Sequence, residues 1–412
     1  MRRNRMKIAA AAAALLLASG ACGGGEPGEA ASSAEPPADP GGAARPANVL
    51  GMRLLAELSK SDPGGNIFVS PTSVCLALSM TANGATGETL DEMAALLADE
   101  GASLEDLNRA NAALRSSLEG ADVELSIANA LWRRAGFPLR QAFVKANAER
   151  YAAALEEADF SDPSAVDAIN TWVAEETRGK IESIVERIPS ETMLYILNAV
   201  YFKGLWSDPF DPERTRPLPF TKADGSVIEH PMMTESGRYR YYEADGIQSI
   251  SLPYGEGRLA MVVVLPPADA PVDAFVRGLN EEDWERWVGG QRKREGEIVL
   301  PRFTIGYGAK LNDALTALGM VRAFDADAAD FSAMSEFPLF IDEVLHKTFV
   351  EVNEEGTEAA AVTSVGMALT AVAPSHRFRM VVDRPFVCAI RDGETGALLF
   401  LGVIADPAAE TG

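Results

Sequence analysis

The side chains this chain offers for chemistry are few, and they are scattered. Its only histidines are His230, His346 and His376. None belongs to a pattern that would set it against a nucleophile or a zinc ion. There is no Gly-x-Ser-x-Gly elbow, no His-Glu-x-x-His, no Cys-x-x-Cys, and no phosphate-cradling glycine loop ending in Gly-Lys-Ser/Thr. His346 lies where a strand begins and reads as a hydrogen-bonded structural residue; His230, ahead of Pro231, reads as part of a turn. Asp325, Asp327 and Asp330 are spaced like calcium ligands, but the turn glycine and the distal glutamate are missing, so they read as a solvated acidic loop. No metal and no cofactor is expected, and the chain is not expected to be an enzyme. With 37 Lys and Arg against 60 Asp and Glu, the net charge of −23 argues against nucleic acid as a partner, because phosphate binding needs a basic face.

One stretch does stand out. After the alternating run His346–Val352 comes Asn353-Glu354-Glu355-Gly356-Thr357-Glu358, and from Ala359 to Ser375 there is no charged residue. Loops between elements are usually short and polar; this one is long and rich in Ala, Val, Thr and Met. Read with period two, Thr357, Ala359, Ala361, Thr363, Val365, Met367 and Leu369 share one face. It is a strand fit for a sheet interior, written where a loop belongs. Left exposed without a use, such a segment is an aggregation liability.

The elements that would hold this stretch belong to one domain. Residues 1–22 read as a signal peptide: Met1–Lys7 is basic, and Ile8–Ala18 is apolar but too short to span a bilayer. Ser19-Gly20-Ala21-Cys22 resembles a bacterial lipobox in which Cys22 would carry lipid, with Ser19 where Leu is usual; plain secretion is the alternative. Residues 23–46 are Gly, Ala, Pro, Ser and Glu, a flexible linker, and 407–412 form a tail. Residues 47–406 show no internal repeat and no second linker. Helical spacing comes first: Val49–Leu58, a helix opened by Pro71 near its first turn, then Thr89–Leu97, Leu104–Leu118, Gln141–Tyr151 and Pro163–Thr177. Strands follow. Met193–Phe202 is nearly continuously apolar and reads as a central strand. Arg238–Tyr242, Ile247–Pro253, Leu259–Leu265, Glu297–Ile305 and His346–Val352 come next, and Phe386–Arg391 with Ala397–Ile404 flank a hairpin turn. The class is α+β with more than one sheet. Cys75 and Cys388 are either buried free thiols or one long-range disulfide, and their apolar settings favour small core filler.

Six blocks, in order, resemble the serpins across residues 47–406. They are Asn66–Ser73, Thr81–Thr89, Ile169–Ile181, Leu197–Trp206, His346–Ala361 and Asp383–Phe386. The resemblance implies a serpin fold of three β-sheets and about nine helices with an exposed reactive-centre loop. It also implies inhibition of serine endopeptidases by suicide-substrate trapping, in which loop cleavage is followed by insertion into the large sheet. The stretch described above is fit for that use. Insertion requires small, uncharged side chains on the buried face, because an unpaired charge in a sheet interior costs several kcal/mol or more; Thr357, Ala359, Ala361 and Thr363 meet this requirement.

Residue by residue, the resemblance makes Glu354, Gly356, Thr357, Ala359, Ala360 and Ala361 the hinge. It makes Ser73, Asn198 and His346 a hydrogen-bonded cluster over which the sheet opens, and puts Trp206 and Arg302 at the sheet top, with Arg302 as partner of Glu354. Family spacing from the hinge places the reactive bond at Thr370-Ala371; counting back from Asp383 points instead near Pro374. The inserted length governs trapping, so the hinge count is preferred. With no Lys or Arg between Thr357 and His376, the expected target is an elastase-, subtilisin- or chymotrypsin-like serine protease, with cysteine proteases also within the family's range. The chain is expected to act as a monomer, outside the cell or at the cell envelope, held at the membrane through lipid at Cys22. A non-inhibitory serpin acting as a binding or chaperone-like module is the alternative.

Overall fold

A computed structural model describes residues 41–119, 123–357 and 377–409. Among the described residues the helical half comes first, as α1 (Gly41–Ser61), β1 (Ile67–Val69), α2 (Pro71–Ala82), α3 (Gly87–Leu97), α4 (Leu104–Leu118), β2 (Glu124–Arg134), α5 (Gln141–Tyr151), β3 (Ala154–Ala158) and α6 (Ser164–Glu176). The strand-rich half follows, as β4 (Leu194–Leu205), β5 (Arg216–Thr221), β6 (Val227–Ala244), β7 (Ile247–Pro253), β8 (Leu259–Leu265), α7 (Val272–Arg277), α8 (Glu281–Gly289), β9 (Arg292–Pro301), β10 (Phe303–Lys310) and α9 (Asn312–Ala317). The chain closes with β11 (Val344–Val352), β12 (Gly356–Thr357), β13 (Phe378–Val381), β14 (Phe386–Asp392) and β15 (Leu398–Ile404).

Two hydrogen-bonded sheets organise these strands. One runs β1-β15-β14-β8-β7-β6-β9-β13, with β5 on β6; the other runs β10-β11-β12-β4-β2-β3, and β11 also pairs directly with β4. The three sheets expected from the resemblance become two connected networks because β6 is unusually long. Its residues Arg240–Ala244 pair with β7, Met232–Tyr241 with β9, and Val227–Met232 with β5. Between the sheets lies α2, every residue of which is buried. Ser70 caps it by accepting from the Ser73 N–H, and Pro71 follows at the first helical position, where its missing N–H leaves no bond unmade.

The structure differs from the sequence reading at informative places. The linker expected to run to residue 46 gives way to helix at Gly41, because Ala43 and Ala44 are buried in one cluster with Leu114 and Leu118. Small side chains make that contact, so no large apolar residue announces it. The single strand expected over Glu297–Ile305 is two strands in different sheets, β9 and β10, that change hands at Arg302. His230 is not in a turn; it lies within β6, buried, and opposite Leu218 of β5. Cys75 and Cys388 are free and buried, in separate core clusters, and burial pushes the Cys75 thiol up to about 12 and Cys388 higher still. Asp325 and Asp330 spend their carboxylates locally, accepting from the backbone of Asp327 and Ser332. No described helix is long and apolar enough to cross a membrane.

At the end of the larger sheet β1 lies against β15 at Gly402, where an added Cβ would lie 2.3 Å from the Ile67 carbonyl oxygen and 3.0 Å from the Phe68 Cα. Both neighbours are backbone, so neither can rotate away. Gly402→Ala is therefore expected to destabilise the fold by about 1–3 kcal/mol or more, read as a lower urea midpoint; an unchanged midpoint would show that β1 is not held against β15 as described.

Candidate functional site

The site is the seam between β4 and β11. These strands run parallel, from Val344 opposite Ile196 to Phe349 opposite Tyr201. Above that point they part, and β12 fills the gap. Thr357 pairs antiparallel with Val352 on one side and Gly204 on the other, while Gly356 faces Leu205. The chain reverses into this position through Asn353. Its side-chain oxygen accepts from the Glu355 and Gly356 N–H groups at 3.0 and 3.3 Å, and its own N–H reaches the Gly356 carbonyl at 2.9 Å. Gly356 has φ +151°, and a Cβ there would lie 2.2 Å from the Gly204 oxygen. Only glycine can pass so close to β4. Thr357 is fully buried, its hydroxyl 2.7 Å from that of Tyr254.

The top of the seam is clamped on both flanks. Trp206 stacks on Tyr254, ring centroids 4.5 Å apart, and its indole N–H donates to the Asn353 carbonyl at 2.9 Å. The Trp206 and Phe210 N–H groups donate to the Glu355 and Glu354 carbonyls at 2.9 and 2.8 Å. Arg302 Nε donates to both oxygens of Glu354 at 2.8 Å, and Thr215 donates to the same carboxylate. Burial would raise the Glu354 carboxyl, but the hydrogen bonds from Arg302 and Thr215 outweigh it and hold the group below the usual range. Arg302 is itself pinned at the switch between sheets. Its N–H donates to the Pro231 carbonyl at 3.0 Å, and its carbonyl accepts from His230 Nε2 at 2.6 Å.

Lower down, a polar row crosses three strands. Asn129 of β2 stands opposite Asn198 of β4, which stands opposite His346 of β11. The Asn198 amide donates to Asn129 Oδ1 and to the Ser73 hydroxyl, and its oxygen accepts from His346 Nδ1. His346 Nε2 accepts from the Ser70 N–H at 3.0 Å. The imidazole is therefore the neutral Nδ1–H form with both nitrogens engaged, and burial pushes its pKa down to about 3. Such a histidine cannot serve as a general base. The arrangement ties strand to strand and does not activate a nucleophile.

The structure thus brings Ser73, Asn198 and His346 together, and separately gathers Trp206, Arg302, Glu354, Gly356 and Thr357 at the seam's upper end. Ala359, Ala360, Ala361, Thr370, Ala371 and Cys22 lie outside the described residues. Sequence reading missed Asn129, Ser70, Thr215, Asn353, Tyr254 and His230. Ser70 had a signal, a hydroxyl residue just before the helix-opening Pro71. Asn129 had a weaker one, a lone amide in the otherwise apolar run Ile127–Trp132.

Two outcomes follow from this geometry. In Gly356→Ala the hinge is expected to leave the gap, so that limited proteolysis cuts around Asn353–Thr357 at least tenfold faster; protection equal to wild type would contradict the close approach to Gly204. The buried neutral His346 binds its proton only near pH 3, whereas the unfolded chain binds it near 6.5. Between these values the unfolded state holds the extra proton, so stability is complete above about pH 6.5 and falls with acid by up to ~1.4 kcal/mol per pH unit. Denaturant titrations should show this slope in wild type and lose most of it in His346→Asn.

The profile of the family described as Serpin (serine protease inhibitor) matches residues 45–407. An uncharacterized serpin-like protein of Thermococcus kodakarensis is 37% identical over 367 residues, covering 87% of this chain and 84% of the relative. Neuroserpin of Homo sapiens is 32% identical over 376 residues, 87% of this chain and 90% of its own. Among solved structures, the thermophilic serpin tengpin in its native state superimposes with a TM-score of 0.80 at 32% identity, covering 87% of this chain and 93% of that one. With that family-wide match and an α+β fold of the same architecture, the chain belongs to the serpin family.

Proposed function

We propose that the protein inhibits serine endopeptidases as a suicide substrate. The protease serine attacks the Thr370 carbonyl, the peptide bond to Ala371 breaks, the new Ala371 amine departs, and an acyl-enzyme forms. Insertion of the freed loop between β4 and β11 then carries the attached enzyme away before water can release it. Insertion of a reactive loop into the large sheet is established behaviour of serpins. Glu354, Gly356, Thr357 and Ala359–Ala361 act as hinge, Trp206 and Arg302 hold the sheet top, and Ser73, Asn198 and His346 are the cluster over which the sheet opens.

The observation that carries this reading is β12. Two residues of the hinge already occupy the gap in antiparallel register with both neighbours, so insertion extends a pairing that exists. Length supports the hinge count. β4 has 12 residues, about 40 Å of strand. Thr357 to Thr370 would span about 46 Å, whereas running on to Pro374 would give about 59 Å, well beyond the seam. An uncharged loop fits an elastase-, subtilisin- or chymotrypsin-like target, with cysteine proteases as secondary targets. The proposed organisation is a signal peptide to residue 22, a linker, one inhibitory domain and a short tail. Lipid on Cys22 would hold the monomer at the outer face of the membrane.

Incubation with elastase-, subtilisin- and chymotrypsin-like enzymes is expected to yield a complex that survives SDS, with cleavage after Thr370. Thr357→Arg would place a charge in a fully buried position, at a cost of several kcal/mol. It is expected to turn inhibitor into substrate, cut at the same bond with at least tenfold less complex. Cleavage of wild type without any trapping would favour a non-inhibitory binding module and reject the proposal.

A further inference from the structure

The chain's overall acidity conceals a basic surface. At one end of the larger sheet, Arg238 and Arg240 of β6 and Arg292, Lys293 and Arg294 of β9 are all exposed. Arg240 stands opposite Lys293 in the register. Like charges directly opposed on adjacent strands are destabilising, and neither Arg240 nor Lys293 has a carboxylate partner among the described residues; the one anion in the row, Glu295, stands opposite Arg238. None of the five has a carboxylate partner among the described residues. Arg292 donates to the Gly289 and Gln291 carbonyls, and Arg294 lies over the Tyr241 ring at 5.6 Å. The nearby carboxylates are engaged elsewhere, Glu295 with Arg377 at 3.8 Å and Glu297 with Arg379 at 2.9 Å; Glu243 lies exposed towards the end of β6. In a chain of net charge −23, such a concentration of unpaired cations creates a local positive field that attracts an anionic partner.

Its position indicates which partner. Arg377, where the described chain resumes, leads directly into β13, and β13 pairs with β9. The bond proposed for cleavage is six residues before Arg377 in the sequence, at most about 21 Å of extended chain. A globular enzyme of about 230 residues has a radius of gyration near ~17 Å, so one seated on that bond reaches this sheet edge. We propose that the sheet face carrying Arg238, Arg240 and Lys293 is a docking surface for an acidic face of the attacking protease, with Arg292 and Arg294 on the reverse face beside Tyr241 and Tyr239. The inference rests on the inhibitory reading above and adds to it a partner of stated chemistry. Sequence around the bond would set which enzymes can cut, and the patch would set how fast they arrive.

The test uses the full chain and two chymotrypsin-fold proteases of matched specificity, one of net negative and one of net positive charge, each with its nucleophilic serine replaced by alanine. Association is measured by surface plasmon resonance at low and high salt. Wild type is expected to bind the acidic enzyme about tenfold faster than R240E/K293E does, with the difference vanishing at high salt. Arg240→Gln with Lys293→Gln should fall between, and the basic enzyme should not distinguish the variants favourably for wild type. Equal rates for the acidic enzyme, or no binding of it at all, would overturn the proposal. So would a defect confined to a sulfated polysaccharide, which would make the patch a polyanion site. Trapping is scored separately with the active enzymes. Salt-sensitive docking without an SDS-stable complex would reject inhibition and leave the docking surface standing.

Discussion

Six register pairs join β4 to β11 in parallel, and just above them the same two strands separate around two residues of β12. The parallel contact is the weaker kind of ladder per residue. A strand entering antiparallel to both neighbours would exchange that one ladder for two antiparallel ones and bury the small side chains of the entering segment. In the proposed mechanism the folded chain therefore has a more strongly paired arrangement adjacent to the one it occupies. Bonding across the seam, chiefly between Asn198 and His346 on its two sides, holds these strands together; in the proposed mechanism this is the line that opens.

The upper clamp gives that seam a defined starting point. Glu354 is buried yet charged because Arg302 and Thr215 satisfy it, and breaking a pair of this kind leaves an uncompensated buried charge. Arg302 owes its position to the sheet switch, where Pro231 and His230 fix its backbone. Thus the larger sheet reaches the hinge through Arg302, and again where Tyr254, just past β7, meets Thr357. In the proposed mechanism that linkage keeps Gly356 and Thr357 in the gap while everything beyond them waits for cleavage.

The sequence made some of this legible and hid the rest for physical reasons. Elements with strong periodicity and clear stops were read with their bounds, among them α4, α5, β7 and β8. The strand-like pattern beginning at Thr357 was legible because a run of small uncharged residues is abnormal for a loop; of it, only Thr357 falls among the described residues, paired in the seam. Arg302 misled because period two continues straight through it, although the chain changes sheets there; alternation reports which face is buried and not which sheet it belongs to. β6 was read only over Arg238–Tyr242, since Pro231 and Ser236-Gly237 interrupt the rest, and those breakers are tolerated because its partners β5 and β9 supply the pairing. Asn129 and Ser70 depend on strand register and a helix cap meeting in space, which no local pattern encodes.

If cleavage releases the chain into a more strongly paired fold, heat will reveal it. Thermal unfolding of the intact protein is compared with that of protein cut once in the segment between Thr357 and Arg377. The cut form is expected to resist unfolding by tens of degrees, because the seam would then hold a full antiparallel strand and the kinetic barrier that trapped the first form would be gone. Equal or lower resistance in the cut form would contradict it.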